Sequence, residues 1–165
     1  GGKELDELAK TGDPEAFAFP IGLKRSARPD FSFSGVKTAL YYLLRAMTPE
    51  ERAAKAADVA ASYRWAIVEA LVSKAVQAAE EQGAEALAVT GGVAANSLLR
   101  ERLVEVGGRA GLHVVVPPLA YCTDNAAMIG AAALHGPRLD YPRYVGVDAS
   151  ASLPLGQWYP VSLDG

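Results

Sequence analysis

The chain has 165 residues, half of them apolar and 21% charged, with a net charge of −3. That is enough chain for a buried core and an ordinary globular composition, and it gives no bulk electrostatic drive toward nucleic acid or membrane. No apolar run is long enough to span a bilayer and no signal peptide is visible; the single cysteine, Cys122, cannot form an internal disulfide, which fits a reducing, cytoplasmic setting.

The chain opens on Gly1-Gly2, a turn-forming pair in place of methionine, and is expected to be part of a longer protein. Lys3 to Lys10 reads as a short helix with Leu5 and Leu8 on one side, broken by Gly12-Asp13-Pro14-Glu15, where Asp13 can cap a short turn. Residues 18–34 are irregular, punctuated by Pro20, Gly22 and Pro29. Lys24, Arg25 and Arg28 cluster there, either as a solvated loop or as a phosphate-contacting one. Ser34 is placed to cap a helix through Ala46, with Leu40, Leu43 and Leu44 on one face. Thr48-Pro49-Glu50-Glu51 is a capping box with proline at the first helical position. A single long helix is expected from there to about Gln82, stopped by Gly83. Its apolar positions Val59, Tyr63, Ile67 and Leu71, widened by Val68, Val72 and Val76, predict burial along much of its length.

Ala86 to Thr90 is apolar or β-branched, as in a strand covered on both faces. Gly91-Gly92 then lets the backbone turn tightly and approach a ligand without a Cβ in the way. Val93 to Val106 resumes at helical spacing, which would aim free N–H groups and the positive end of a helix dipole at the turn. Such a turn suits a phosphate, although a plain strand-to-helix turn would look the same.

A second strand, His113 to Val116, ends on Pro117-Pro118. Thr123 is placed to cap an alanine-rich helix to about His135, and Tyr144 to Val147 reads as a short edge strand. The pattern is helices followed by strand–helix–strand–helix: an α/β unit, helix-rich, with a small parallel sheet. In such sheets ligands gather at the carboxyl ends of the strands, so Asp124 falls on the same edge as Gly91-Gly92. Its carboxylate can bind a metal or merely favour the following helix dipole. His113 and His135 are not spaced as a metal pair, and Cys122 has no zinc-spaced neighbour. The dinucleotide fingerprint, the P-loop and the hydrolase serine elbow are all absent.

Four motifs in order carry a resemblance: Gly1-Gly2 with Leu5-Asp6-x-Leu8-Ala9, Phe31-Ser32-Phe33-Ser34-Gly35-x-Lys37-Thr38, Gly91-Gly92-Val93-Ala94-Ala95-Asn96, and Cys122-Thr123-Asp124-Asn125-x-Ala127-Met128-Ile129. Over about residues 1–135 the chain resembles the TsaD/Gcp family of tRNA adenosine threonylcarbamoyltransferases. The resemblance implies part of an actin-like ATPase fold with RNase H-like lobes. Residues 1–83 would be a helical region holding part of the substrate site, and residues 84–165 the strand–helix–strand–helix core and tail. It implies transfer of a threonylcarbamoyl group from its adenylate to the exocyclic amine of the adenosine beside the tRNA anticodon. Matching motifs put Gly2, Asp6 and Asn96 on substrate positions, Gly91 and Gly92 on the nucleotide, and Asp124 on a divalent metal, iron or else zinc. The implied partners are tRNA, threonylcarbamoyl-adenylate or ATP, and accessory proteins of the threonylcarbamoylation complex, with no membrane.

The departures are specific. The family's His-x-x-x-His metal pair and Ser-Gly-Gly loop are absent and belong to an amino-terminal half that would precede Gly1. Lys3 stands where a proline is expected, and Ile21-Gly22-Leu23 replaces an Arg-Pro form. Residues 1–165 alone are therefore expected to be inactive. Two other classes remain: another actin-fold phosphotransferase, which would not need Cys-Thr-Asp-Asn or Phe-Ser-Phe-Ser-Gly, and a non-catalytic half that binds a partner, against which the retained Asn96 and Asp124 argue.

Overall fold

The computed structural model describes residues 1–24, 26–136, 138–146 and 152. The chain divides into a first compact unit, Gly1–Asn125, and a second, Ala126–Gly165. The first holds α1 (Gly2–Ala9), α2 (Ser34–Ala46), α3 (Pro49–Ala54), α4 (Ala56–Glu81), β1 (Ala86–Ala88), α5 (Ser97–Arg109) and β2 (His113–Val115).

The spine of the first unit is α4. Its apolar residues bury on more than one side: Ala60 and Ala61 pack on Ala9 of α1, while Val68, Val72 and Val76 pack on Leu99 and Leu103 of α5. A helix apolar around most of its girth must be covered around most of its girth. The expected single helix from Pro49 is in fact two, separated at Lys55 with φ −104° and ψ 7°. The capping box is intact, with Glu51 N–H donating to Thr48 Oγ1 at 3.2 Å and Thr48 N–H to Glu51 Oε2 at 2.9 Å. No glycine or proline marks the break; it falls where the loop after α1 lies against the first turn of α4. α4 ends as expected at Gly83, with Ala84 N–H donating back to Ala79 O at 2.9 Å.

The loop between α1 and α2 is tied down polar group by polar group. Asp13 caps its own turn through Glu15 N–H. Asp58 accepts from Asp13 N–H at 2.9 Å, and the buried Ser62 hydroxyl accepts from Phe17 N–H and donates to Asp13 O, both at 3.1 Å. Further along, the buried Lys74 ammonium donates to Ser26 O at 2.5 Å and to Gln77 Oε1 at 2.7 Å, and Gln77 in turn donates to Ala27 O. Irregular backbone can lie against a helix only if its polar groups are met in this way.

β1 and β2 are parallel, pairing Ala86 with His113, Leu87 with Val114 and Ala88 with Val115. Val89 N–H donates to Val115 O and extends the ladder toward the glycines. Leu87, Val89 and Val114 pack on the α4–α5 core, whereas Ala86, Ala88 and Val115 are exposed. The strand covered on both faces is thus corrected: among the described residues helices cover one face only, and exposure alternates accordingly.

Smaller corrections concern element ends. Ser34 is the first residue of α2, not its cap, and its hydroxyl lies 3.3 Å from that of Ser32. In the second unit α6 runs Ala126–His135, so Thr123 is two residues too early to cap it. Arg143–Gly146 forms a 3₁₀ turn in place of the expected edge strand, whose Val147 lies outside the described residues.

Gly12 supports the close approach to α4, since a Cβ built there would lie 2.0 Å from Ala57 O. Gly12→Ala is expected to destabilise the fold by about 1–3 kcal/mol, as overpacking against backbone does. Unchanged stability in a denaturant titration would contradict this packing.

Candidate nucleotide site at the strand ends

The turn after β1 is shaped by Gly91, whose φ of +83° strains any residue with a Cβ. Gly92–Ala95 then forms one 3₁₀ turn, and Asn96 sits in extended conformation before α5 begins at Ser97. The continuous helix expected from Val93 is corrected: Asn96 interrupts it because it is the N-cap of α5, its Oδ1 accepting from Leu99 N–H at 3.0 Å. The dipole end of α5 is therefore met by Asn96 and its surroundings, one turn beyond the glycines. The N–H groups of Gly92 and Val93 find no acceptor among the described residues.

Asp6 is brought to that helix end. Its carboxylate is buried, takes a hydrogen bond from Arg64 Nη1 at 2.9 Å, and accepts from the Ser97 hydroxyl at 3.3 Å and Ser97 N–H at 3.4 Å. An anion is favoured at a helix N-terminus, so Asp6 partly fills the place that a ligand phosphate would otherwise take on α5. Arg64 also donates to Asp6 O and Ala9 O, locking α1 onto α4, while its buried Nε has no partner among the described residues. Gly2 lies one turn before Asp6 in α1 and is exposed.

A second clamp holds the two strand-end turns together. Arg100 of α5 donates from Nε to Ala94 O at 2.5 Å, from Nη1 to Pro117 O at 2.9 Å and from Nη2 to Cys122 Sγ at 2.9 Å. Cys122 is buried and free, and two residues on, Asp124 is exposed. Among the described residues no three His, Cys, Asp or Glu side chains form a group that could hold a metal. Asp124 is one carboxylate and does not make a metal site by itself, since catalytic sites typically use about three protein ligands.

Lys24 is exposed, Arg28 is paired with Asp30 at 3.0 Å, and Arg25 lies outside the described residues. Sequence reasoning missed Arg64, Ser97, Lys74 and Arg100. The available signal was a basic residue set among apolar neighbours of α4, as at Arg64 beside Trp65-Ala66-Ile67 and Lys74 between Ser73 and Ala75-Val76.

The family model for tRNA N6-adenosine threonylcarbamoyltransferase (TsaD) matches residues 1–131. The chain belongs to the TsaD family. Family members bearing that name include one from Synechococcus sp. (strain JA-3-3Ab), 49% identical over 134 residues, 81% of this chain and 36% of that protein. Those of Picosynechococcus sp. (strain ATCC 27264 / PCC 7002 / PR-6) and Clostridium beijerinckii (strain ATCC 51743 / NCIMB 8052) are each 42% identical, covering 95% of this chain and 46% of each protein. The chain thus spans less than half the length of these curated TsaD relatives. The TsaD fold is actin-like with RNase H-like lobes, and the helix-rich unit with its small parallel sheet fits it. No helix among the described residues is long and apolar enough to cross a membrane.

The Asp6–Arg64 pair generates a stability prediction. Arg64→Met leaves the Asp6 carboxylate buried without its cation and is expected to cost about 3–5 kcal/mol. The double variant Arg64→Met/Asp6→Leu, which removes both charges, should recover much of that loss. Denaturant unfolding reads both, and a double variant less stable than Arg64→Met would contradict a paired, desolvated carboxylate.

Proposed function

We propose that this chain supplies the carboxy-terminal share of a tRNA threonylcarbamoyltransferase. The reaction moves a threonylcarbamoyl group from threonylcarbamoyl-adenylate to the exocyclic amine of the adenosine beside the tRNA anticodon. The bond between the carbamoyl carbon and the phosphate oxygen breaks, a bond from that carbon to the amine nitrogen forms, the amine gives up a proton, and AMP leaves with the electron pair. The match over residues 1–131, which includes both strand-end turns, carries this reading.

Each chain residue then has a task. Gly92 and Val93 offer two unused N–H groups to the leaving phosphate, where developing negative charge is best met by preorganised donors. Gly91 gives the backbone the turn that aims them. Asn96 uses its Oδ1 on Leu99 and keeps its amide donors for substrate. Asp6 Oδ2, with only the long contact to Ser97 N–H, keeps lone pairs for a ribose hydroxyl, and at Gly2, one turn earlier, a Cβ would meet nothing within 4 Å. Asp124 is proposed as one ligand of a divalent metal, iron or zinc, whose other ligands lie outside residues 1–165; when bound, the metal would polarise carbamoyl and phosphate oxygens. Cytoplasmic tRNA and the accessory proteins of the threonylcarbamoylation complex are the proposed partners.

The test is nucleotide binding and transfer in the complete enzyme. A Cβ at Gly92 meets nothing within 4 Å in the ligand-free chain, so Gly92→Val is expected to fold. Calorimetry should then show adenine-nucleotide affinity lost by about tenfold or more, the weight of a lost charge-assisted contact. Asp124→Ala should lower metal content and transfer together, and residues 1–165 alone should transfer nothing. Unchanged nucleotide affinity in Gly92→Val, or full transfer by Asp124→Ala, would overturn the assignment.

A further inference from the structure

Arg100 is half-buried and reaches three separate segments: the Gly91–Asn96 turn through Ala94 O, the end of the β2 segment through Pro117 O, and the following turn through Cys122 Sγ. Ala94 is fully buried, and Cys122 is 2% exposed. No carboxylate among the described residues pairs with Arg100, so its charge is spent on main-chain and thiol acceptors at the sheet edge. A guanidinium suits this task because its donors are fixed in one plane at set angles; a lysine ammonium is a single point on a flexible stem.

We propose that Arg100 is the positioning residue of the transferase site, setting the spacing between the phosphate-facing turn at Gly92-Val93 and the Cys122-Thr123-Asp124 turn. The inference rests on the transferase reading. The two turns leave from neighbouring strands, and the ladder joining those strands ends at Val89 and Val115. Beyond it the fork of Arg100 cross-links them. Its unneutralised cation also adds positive potential on the side where a leaving phosphate gathers charge. Arg100 touches neither substrate nor reacting atoms in this role.

The experiment is steady-state transfer by the complete enzyme with Arg100→Lys and Arg100→Gln, together with thermal melting and amide hydrogen exchange. Misplacement of a site by about 1 Å can cost about a hundredfold in rate. Arg100→Lys is expected to lower kcat by about tenfold to a hundredfold, with KM for tRNA and the melting temperature unchanged. Amide exchange should rise at Ala94, Asn96, Tyr121 and Cys122, whose N–H groups are hydrogen-bonded within the two turns, and nowhere else. Arg100→Gln should be worse by the same readouts. Normal kcat in a folded variant would overturn the proposal, as would a loss carried wholly by KM for tRNA. If Arg100→Gln fails to fold, Arg100→Lys decides; failure of both would assign the residue to general stability and overturn positioning. Absence of transfer by the unsubstituted enzyme would instead sink the transferase reading, while exchange would still report whether Arg100 joins the turns.

Discussion

The structure depends on one buried carboxylate. Asp6 lies between the Arg64 guanidinium of α4 and the first residue of α5, and through them three helices meet at one point. A carboxylate this buried is tolerable only when its oxygens are met by a cation and by donors. Both are present, and one of the donors is a helix N-terminus, where negative charge is favoured. α1 would otherwise be an eight-residue helix with little to hold it, far too short to persist alone. Its order comes from the ion pair, from Arg64 closing on Ala9 O, and from Ala9 packing on Ala60 and Ala61.

That placement has a consequence for ligand binding. The N-terminus of α5 is already served by Asp6 and by the side chain of Asn96, so a phosphate gains little there. One turn earlier, at Gly92 and Val93, the N–H groups are unused and no Cβ at Gly91 or Gly92 stands in front of them. The interruption of the helix at Asn96 creates this division: one set of donors is consumed by the fold, and another is left without an acceptor among the described residues. The positive φ of Gly91 and the Arg100 fork fix where the second set points.

The legible parts of the chain were those governed by local chemistry. The Thr48 capping box, the Gly83 stop, the Asp13 turn, two short strands and the two strand-end turns all follow from residues adjacent in sequence. The illegible parts depend on residues far apart in sequence. The break at Lys55 lies in an alanine-rich stretch that favours helix throughout, and only the packing of Gly12 marks its place. Val93 to Val106 has unbroken helical spacing, which masks the stop at Asn96; the Asn96 cap is a local signal for it, but Asp6 at the helix end, ninety-one positions from Ser97, is not. Arg64, Lys74 and Arg100 go unnoticed in the sequence because most of their acceptors are main-chain carbonyls, which have no signature there, and the Asp6 carboxylate on Arg64 lies fifty-eight positions away. The alternation of exposure along β1 was hidden too: Ala86 and Ala88 look as apolar as Leu87 and Val89.

In the proposed function, holding Asp6 on α5 leaves the Gly92-Val93 donors for the leaving phosphate. A crystal structure of the complete enzyme with threonylcarbamoyl-adenylate, or a non-reactive analogue of it, tests this most directly. The account predicts a phosphate oxygen within hydrogen-bond distance of the Gly92 and Val93 N–H groups, with Asp6 still on Arg64 and Ser97. A phosphate seated on the Ser97 and Leu98 N–H groups, with the Asp6 carboxylate displaced from Arg64, would contradict it.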